Sequence, residues 1–450
     1  MNTKPNSITR RQALGRFAMV GGAGLLSASS WSRVYGANEK LRVAAIGVAG
    51  KGWSDHTSVA ASPHVEMVGI CDIDEGPQRL GKAAERYPKA KRWTDWRKLL
   101  DNARDIDAVI VSTPDHMHAP IGLAALQLGK HLYCQKPLTH TVFEARQMQL
   151  AAKRAGVVTQ MGNQIQSHSA YRTAVNLVHE GTIGKVKEVH SWQSGPLRWL
   201  LVEERPTGSD RIPEELHWDD WLGVAPERPF IERIYHDHNW RAWQDFSNGQ
   251  VGDFACHILD PVFMALGLTA PTSITAEGSP QRSDLWYKKS KIQYLFPGTE
   301  RTAADTINVT WYDGEGHLPS HEATGLSKDF ELPKAGSLLI GEKGSLLIPH
   351  VAMPRLLPED QFADAKIDVL PNVDHYVSWA DACRGEGKTT SHFDYAGPLT
   401  ETVLLGTVAI RNPGEELRWD SSALKIINQS TANGMLKKSY RKGWEPAWLS

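Results

Sequence analysis

Cysteine is scarce in this sequence: it has four in 450 residues, and no two of them form a Cys-x-x-Cys pair. Their wide spacing argues against a zinc knuckle or a dithiol redox pair and favours buried free thiols. The net charge is −1 and no basic run occurs, so nothing indicates a nucleic-acid-binding surface. A chain of this length can bury a full core without disulfides or metals, and two or three domains are expected.

A long apolar run is also missing, and this bears on the N-terminus. Residues 1–37 contain an arginine pair at positions 10 and 11, a glycine-rich apolar run over residues 17–28, and small residues up to position 37. The run is shorter than the about 20 apolar residues that span a membrane. The pattern resembles a twin-arginine export signal and predicts a periplasmic or otherwise exported protein, free of the membrane once the signal is removed. An ordinary secretory signal or a merely basic N-terminus is the alternative.

From Leu41 onward, short apolar strands alternate with helix-length segments such as Ile121–Leu128 and Val142–Ala155. This alternation predicts an α/β fold with a doubly wound parallel sheet of Rossmann type, which we place at residues 38–161. The predicted strands are Leu41–Ile46, Val65–Cys71, Ala108–Ser112, His131–Gln135 and Val157–Met161.

A glycine-rich turn follows the first predicted strand, where a backbone can approach a pyrophosphate at a helix N-terminus. The usual pattern is G-x-G-x-x-G, and here Ala49 occupies the middle glycine position. Asp72 closes the second strand, where an acidic residue binds the adenosine ribose, so NAD is slightly favoured over NADP. A loop or helix-capping acid is the alternative for Asp72. The cofactor contacts predicted in the turn are Gly47, Ala49, Gly50, Lys51 and Gly52.

Three further motifs give the sequence a specific resemblance. They are Ser-Thr-Pro-Asp-His-Met-His at residues 112–118, Gln-Lys-Pro at residues 135–137, and an Asp-x-x-x-His pair within residues 252–260. In this combination and order they resemble the Gfo/Idh/MocA family of oxidoreductases, and the stretches 393–398 and 440–444 resemble its exported branch. The family typically has Glu-Lys-Pro, so Gln135 is a departure that removes a negative charge beside Lys136.

The resemblance implies that residues 162–450 form an α+β substrate and oligomerisation domain with a large mixed or antiparallel sheet. It also implies an NAD or NADP cofactor and a homo-oligomer, either a dimer or a tetramer. Because free cofactor is scarce outside the cytoplasm, an exported protein of this kind is expected to hold its cofactor tightly. The further cofactor contacts implied are Thr113, Pro114, His118 and Gln135.

The catalytic set implied by the resemblance is Lys136, Asp253 and His257, and its chemistry is reasonable from the residues alone. Oxidising a secondary alcohol requires a base that takes the hydroxyl proton as hydride leaves the carbon. Asp253 and His257 are four residues apart, so on a helix they share one face. Lys136 follows a strand at the edge where open α/β sheets bind ligands. A surface or capping pair is the alternative for Asp253 and His257.

Aromatic and polar side chains suited to sugars are dense at residues 235–243, since flat rings stack on sugar C–H faces and His or Arg donate to hydroxyls. His236 and His238 are only two residues apart and have no nearby partner set, so no metal site is predicted. The predicted substrate contacts are Gln164, Tyr235, His236, Trp240 and Arg241.

These observations favour an NAD(P)-dependent oxidoreductase acting on a secondary hydroxyl of a sugar, glycoside or polyol. Two alternatives stay open. The first is a glycosidase that oxidises the sugar transiently, eliminates the aglycone and reduces the product again. The second is a non-catalytic periplasmic sugar-binding protein on the same fold, against which the intact catalytic set argues.

Overall fold

The computed structural model describes residues 39–197, 202–278 and 284–445. The predicted export signal, residues 1–37, lies outside these described residues, so it stays a prediction. Over the described ranges, no helix is both long and apolar enough to cross a bilayer.

The first part of the chain forms a six-stranded sheet in which every pairing is parallel. The strand order is β3-β2-β1-β4-β5-β6. The chain therefore adds strands on one side of β1 up to β3, and then on the other side from β4 to β6. The strands are buried on both faces of the sheet, which explains their continuous apolar runs. The doubly wound sheet predicted from the sequence is confirmed. The strands are β1 Leu41–Ile46, β2 Val65–Cys71, β3 Lys91–Trp93, β4 Ala108–Val111, β5 His131–Cys134 and β6 Thr159–Met161.

The helices begin and end largely where local signals indicate. One of them, Val142–Ala155, matches its predicted bounds: Thr141 and Glu144 form a reciprocal capping box at its start, and Gly156 ends it with a φ of 63°. The described helices are α1 Lys51–Val59, α2 Leu80–Arg86, α3 Trp96–Asp101, α4 His118–Gln127, α5 Val142–Ala155, α6 Ser169–His179, α7 Trp218–Leu222, α8 Cys256–Ile258, α9 Asp260–Leu266, α10 His321–Thr324, α11 His375–Cys383, α12 Phe393–Ile410 and α13 Ser430–Gly434.

The second sheet is mixed and has nine strands in the order β13-β12-β11-β7-β10-β9-β8-β14-β15. Only β7 and β10 pair in parallel; the other neighbours are antiparallel. This is the large mixed sheet expected for the second domain. Its strands are β7 Val186–Gln193, β8 Ser273–Gly278, β9 Ser290–Pro297, β10 Thr306–Asp313, β11 Ala335–Gly341, β12 Ser345–Pro349, β13 Arg355–Leu357, β14 Leu417–Asp420 and β15 Lys425–Ile426.

Two late helices connect the sheets. Helix α12 packs against α5 on one side and against β8 on the other, and Arg146 of α5 forms an ion pair with the buried Glu401 of α12. Helix α11 packs on α1, and its fully buried Trp379 lies with its ring 5.6 Å from that of Tyr133 in β5. The chain therefore returns to the Rossmann sheet after building most of the second sheet. The boundary placed between residues 161 and 162 stays a prediction.

Candidate functional site

A cavity of about 1010 Å³ lies at the carboxyl ends of the parallel strands β1, β2, β4 and β5, where the second domain forms its opposite wall. It contains most of the residues that the sequence predicted. Those that line it are Gly47, Ala49, Gly50, Lys51, Asp72, Thr113, Pro114, Gln135, Lys136, Gln164, His236, Trp240, Arg241, Asp253 and His257.

The glycine turn between β1 and α1 is built for close backbone approach. Gly47 has a φ of 79°, and a Cβ added there would lie 2.7 Å from the carbonyl oxygen of Ser112. A Cβ at Gly52 would lie 1.9 Å from the carbonyl oxygen of Gly47, so only glycine lets α1 start this near the turn. Gly52 does not line the cavity. Its prediction as a cofactor contact is corrected to a packing role.

Asp72 lies at the end of β2 and holds the glycine turn from the neighbouring strand. Its Oδ2 accepts a hydrogen bond of 2.8 Å from the backbone N–H of Val48, and its Oδ1 accepts one of 3.2 Å from that of Asp74. Burial raises the pKa of Asp72, and these backbone donors oppose the rise. The carboxylate thus faces the cavity at the position where a ribose would be held.

Asp55 was not predicted from the sequence, and its contact with Gln135 explains why an amide suits position 135. The Asp55 side chain is fully buried on α1, and its Oδ2 accepts hydrogen bonds from Ser112 Oγ at 2.7 Å and Gln135 Nε2 at 2.9 Å. Its Oδ1 accepts from Lys51 Nζ, which also donates to Tyr376 of α11. Burial raises the pKa of Asp55, and the Lys51 cation limits the rise. An amide at position 135 can donate to this carboxylate, whereas a second carboxylate would repel it.

Lys136 and Asp253 form the centre of the cavity. Lys136 Nζ lies 2.5 Å from Asp253 Oδ1 and donates to the Asp253 carbonyl oxygen at 2.6 Å. Arg241 Nε is 3.9 Å from the same carboxylate oxygen. Burial by itself raises the pKa of Asp253, but the Lys136 and Arg241 cations outweigh it, so the pKa falls to about 2. Asp253 is therefore a carboxylate at every physiological pH.

His257 follows Asp253 in a helical stretch that starts as a π-helical turn, Val251–Ala255, and continues as α8. Both side chains face the cavity, as predicted. Burial first, and then the Lys136 cation, lowers the His257 pKa well below its ordinary value, so the imidazole is neutral. Its Nδ1 is buried and has no hydrogen-bond partner among the described residues. Asp253 is paired with Lys136 and does not orient the ring by a hydrogen bond within the described part of the chain.

Asp115 is a second carboxyl that sequence reasoning missed, although it lies inside the quoted 112–118 motif. It lines the cavity and accepts hydrogen bonds from Asn248 through the backbone N at 3.1 Å and Nδ2 at 3.3 Å. Burial raises the pKa of Asp115 to about 7, against the lowering effect of Lys136 and Arg241. Of the two carboxyls near Lys136, Asp253 is thus a permanent carboxylate, whereas Asp115 titrates near neutrality. Nothing in the sequence pointed to Asn248.

His118 does not contact the cavity, which corrects its prediction as a cofactor ligand. It is fully buried, and its ring nitrogens lie 2.8 Å from the carbonyl oxygens of Thr113 and Pro137. His118 therefore ties the turn after β4 to the turn that carries Lys136. Its role is to position the neighbouring cofactor and catalytic residues.

Four of the five predicted substrate contacts line the cavity, and Tyr235 does not. The Arg241 guanidinium stacks 4.2 Å from the centre of the Trp240 ring, and both line the cavity with Gln164 and His236. Tyr235 is buried in an aromatic cluster, with its ring 5.0 Å from that of Trp243, and it does not line the cavity. Its prediction as a substrate contact is therefore corrected.

The cavity residues suit a dinucleotide better than a metal. Within residues 39–197, 202–278 and 284–445, no group of three or more His, Cys, Asp or Glu side chains is arranged to hold a metal ion. The glycine turn, which a Cβ would fill, and Asp72 fit the pyrophosphate and ribose of a dinucleotide. His257 lines the same cavity, among groups that fit a polar substrate.

The contact between Asp55 and Gln135 generates a stability prediction. In Gln135→Glu two carboxyls meet, and the folded-state pKa of at least one rises further. An acid whose pKa is raised in the folded state favours folding fully only below its unfolded-state pKa of about 4. We therefore expect the free energy of unfolding of the variant to fall by up to about 1.4 kcal/mol per pH unit above pH 4. Urea unfolding from pH 4 to 8 measures this slope. The uncharged Gln135→Met controls for the lost amide, and equal slopes in both variants would contradict the prediction.

Comparison with known proteins agrees with this geometry. The model of an oxidoreductase family's NAD-binding Rossmann fold matches residues 41–163, and the model of its C-terminal alpha/beta domain matches residues 172–306. Together they span more than half of the chain. The WlbA dehydrogenase from Bordetella pertussis, solved with NADH and UDP-GlcNAcA, is similar in fold, with a TM-score of 0.58 and 16% identity over 85% of this chain and 99% of that one.

Relatives in sequence are oxidoreductases and a glycosyl hydrolase. Levoglucosan dehydrogenase of Pseudarthrobacter phenanthrenivorans is 26% identical over 46% of this chain and 45% of its own length. An uncharacterised oxidoreductase of Escherichia coli is 24% identical over 80% of this chain and 94% of its own length. A glycosyl hydrolase family 109 protein of a Shewanella species is 32% identical over 38% of this chain and 39% of its own length. The match thus spans less than half of the first and third relatives. The chain belongs to the Gfo/Idh/MocA oxidoreductase family, and its first domain is an NAD-binding Rossmann fold.

Proposed function

We propose that the protein is an NAD-dependent oxidoreductase acting on a secondary hydroxyl of a sugar, glycoside or polyol. The observation that carries the proposal is the placement of Lys136, Asp253 and a neutral His257 in the same cavity as the glycine turn. The sugar relationship of several relatives, such as levoglucosan dehydrogenase, supports the substrate class.

The residues divide the chemistry between them. NAD, when bound, supplies the acceptor for the hydride that leaves the sugar carbon. The neutral His257 imidazole lines the cavity and can accept the hydroxyl proton, which a protonated imidazole could not do. Lys136 donates to the reacting oxygen and is held in place by Asp253. Because Asp253 is ionised at all physiological pH values, this ion pair persists through the reaction.

Two further features refine the specificity. Asp72 presents a carboxylate where NADP would carry its 2′-phosphate, and like charges repel, so NAD is the proposed cofactor. Trp240 and Arg241 present a flat stacked surface of the kind that packs on a sugar ring. The carbon that is oxidised depends on how the sugar lies on this surface.

Cofactor reduction by sugar tests the proposed function. The purified protein is loaded with NAD, analysed by mass spectrometry, and mixed with a panel of sugars while absorbance at the reduced-nicotinamide band is followed. We expect at least one sugar to reduce the cofactor. Lys136→Met should lower the rate about 100- to 10,000-fold while still binding NAD, because it removes a donor at the reacting oxygen.

The matched control is Lys366→Met, since Lys366 is 89% exposed and remote from the cavity. Its rate should equal that of the parent. A chain that cannot be loaded with any dinucleotide would contradict the proposal. A loaded chain that no sugar reduces would favour a sugar-binding protein instead.

A second candidate is a glycosidase that works through transient oxidation, and Asp115 is the observation that favours it. A departing aglycone oxygen needs a proton, and a carboxyl whose pKa is about 7 can supply one. The similarity to a glycosyl hydrolase family 109 protein points the same way.

The pH dependence of aglycone release tests this candidate. A general acid must be protonated, so release from an aryl glycoside should fall as pH rises through about 7, and Asp115→Asn should slow it about 100-fold. Asp260→Asn is the matched control, because Asp260 is also a buried carboxyl with a pKa raised to about 7 but lies outside the cavity. Equal loss in both variants, or no aglycone release by the parent, would exclude this candidate.

We also propose that the protein is exported by a twin-arginine route, which the arginine pair at positions 10 and 11 supports. Changing both arginines to lysine should trap the full chain in the cytoplasm. Unchanged export of that variant would contradict the proposal.

A further inference from the structure

The second domain sends a segment across to the edge of the Rossmann sheet. Residues 215–238, here called the bridging segment, reach the loop that follows β2. Leu216 forms an isolated antiparallel bridge with Asp74. On either side of it, the Glu75 N–H donates to the Glu215 carbonyl at 2.9 Å, and the His217 N–H donates to the Ile73 carbonyl at 2.9 Å. The segment thus adds a short strand-like contact directly beyond Asp72.

Side chains reinforce this backbone contact outside the cavity. His217 Nε2 lies 2.9 Å from Glu75 Oε1, and neither residue lines the cavity. Arg97, next to the start of α3, donates to Asp220 of the bridging segment at 2.8 Å. These contacts hold the segment against the β2 loop and against the start of α3.

Further side-chain contacts close this contact at the cavity rim. Arg79 of the Rossmann domain is paired with Asp237, and His236 Nε2 lies 3.6 Å from Asp74 Oδ2. Arg79, His236 and Asp237 all line the cavity. The segment therefore contacts the Rossmann domain at the β2 loop both at the cavity and outside it.

The bridging segment is itself held by packing and by hydrogen bonds to the C-terminal part of the chain. Trp218 and Trp221 stack with ring centres 4.7 Å apart and an interplanar angle of 11°. From the C-terminal part of the chain, Arg441 donates through Nε to the Gly223 carbonyl and through NH2 to the Asp219 carbonyl, each at 2.9 Å. These contacts fasten the segment to its own domain at several points.

The end of the cavity beside Asp72 lies between the two parts. Thr94 and Trp96 line it from the Rossmann domain, and Asp220 and Trp221 line it from the bridging segment. An acid at the end of β2 marks the adenosine half of a dinucleotide site. The segment thus walls that half on the side away from the sheet.

We propose that the bridging segment closes over the adenosine half of the bound dinucleotide and retains it between turnovers. Release then requires the segment to part from the β2 loop, and residues outside the cavity, His217 and Glu75, set the rate of release. This inference rests on the proposed function, because it assumes that the cavity binds NAD.

The test measures the dissociation of NADH from the full-length protein by stopped-flow fluorescence with excess NAD as the trap. His217→Ala removes the contact with Glu75 and should speed release about fivefold, the effect of losing one exposed hydrogen bond between side chains. His217→Pro also removes the N–H donated to Ile73, and the φ of −83° at this position suits proline, so release should be faster still.

The matched control is Arg211→Ala, which breaks an exposed ion pair with Glu214 just before the bridging segment without touching the Rossmann domain. Its release rate should equal that of the parent. Equal rates in His217→Ala, Arg211→Ala and the parent would overturn the inference, and this comparison decides even if His217→Pro does not fold. Failure of the parent to bind NADH at all would instead overturn the proposed function.

Discussion

The ion pair between Lys136 and Asp253 is the contact on which the site depends. Lys136 stands just past β5 of the Rossmann sheet, and Asp253 stands on the helical turn of the second domain. Their contact joins the two domains at the point where a cofactor and a substrate would meet. Both groups are largely buried, so either one alone would be an uncompensated charge in a poorly solvated place. The same ion pair therefore fixes the geometry of the cavity and holds the two domains together.

Around this pair, burial and neighbouring charge set different protonation states for similar groups. Asp253 is kept ionised by two cations, whereas Asp115, in the same cavity, has a pKa near 7 because burial outweighs those cations there. His257 is neutral because burial and the Lys136 cation act in the same direction. A cavity with a fixed anion, a titratable acid and a neutral base is equipped for proton transfer in either direction.

Local signals were sufficient for the Rossmann domain. Alternating strands and helices predicted the parallel sheet, and the helical pattern at Val142–Ala155 predicted α5 to the residue. Most of the predicted cofactor and catalytic residues line one cavity. The reason is that their motifs follow parallel strands, whose carboxyl ends share one edge of the sheet. The short β3 was missed, since its three largely exposed residues carry no apolar run.

What the sequence determined by itself was therefore the fold class, because it rests on local pattern, whereas the catalytic roles of Lys136, Asp253 and His257 stay predictions. Only the tertiary structure decided which side chains point inward. It turned Tyr235 and His118 away from the cavity, brought Asp115 into it, and placed Asp55 against Gln135. These outcomes depend on contacts between residues as far as 133 positions apart, such as Asp115 with Asn248, and no local pattern encodes such a contact.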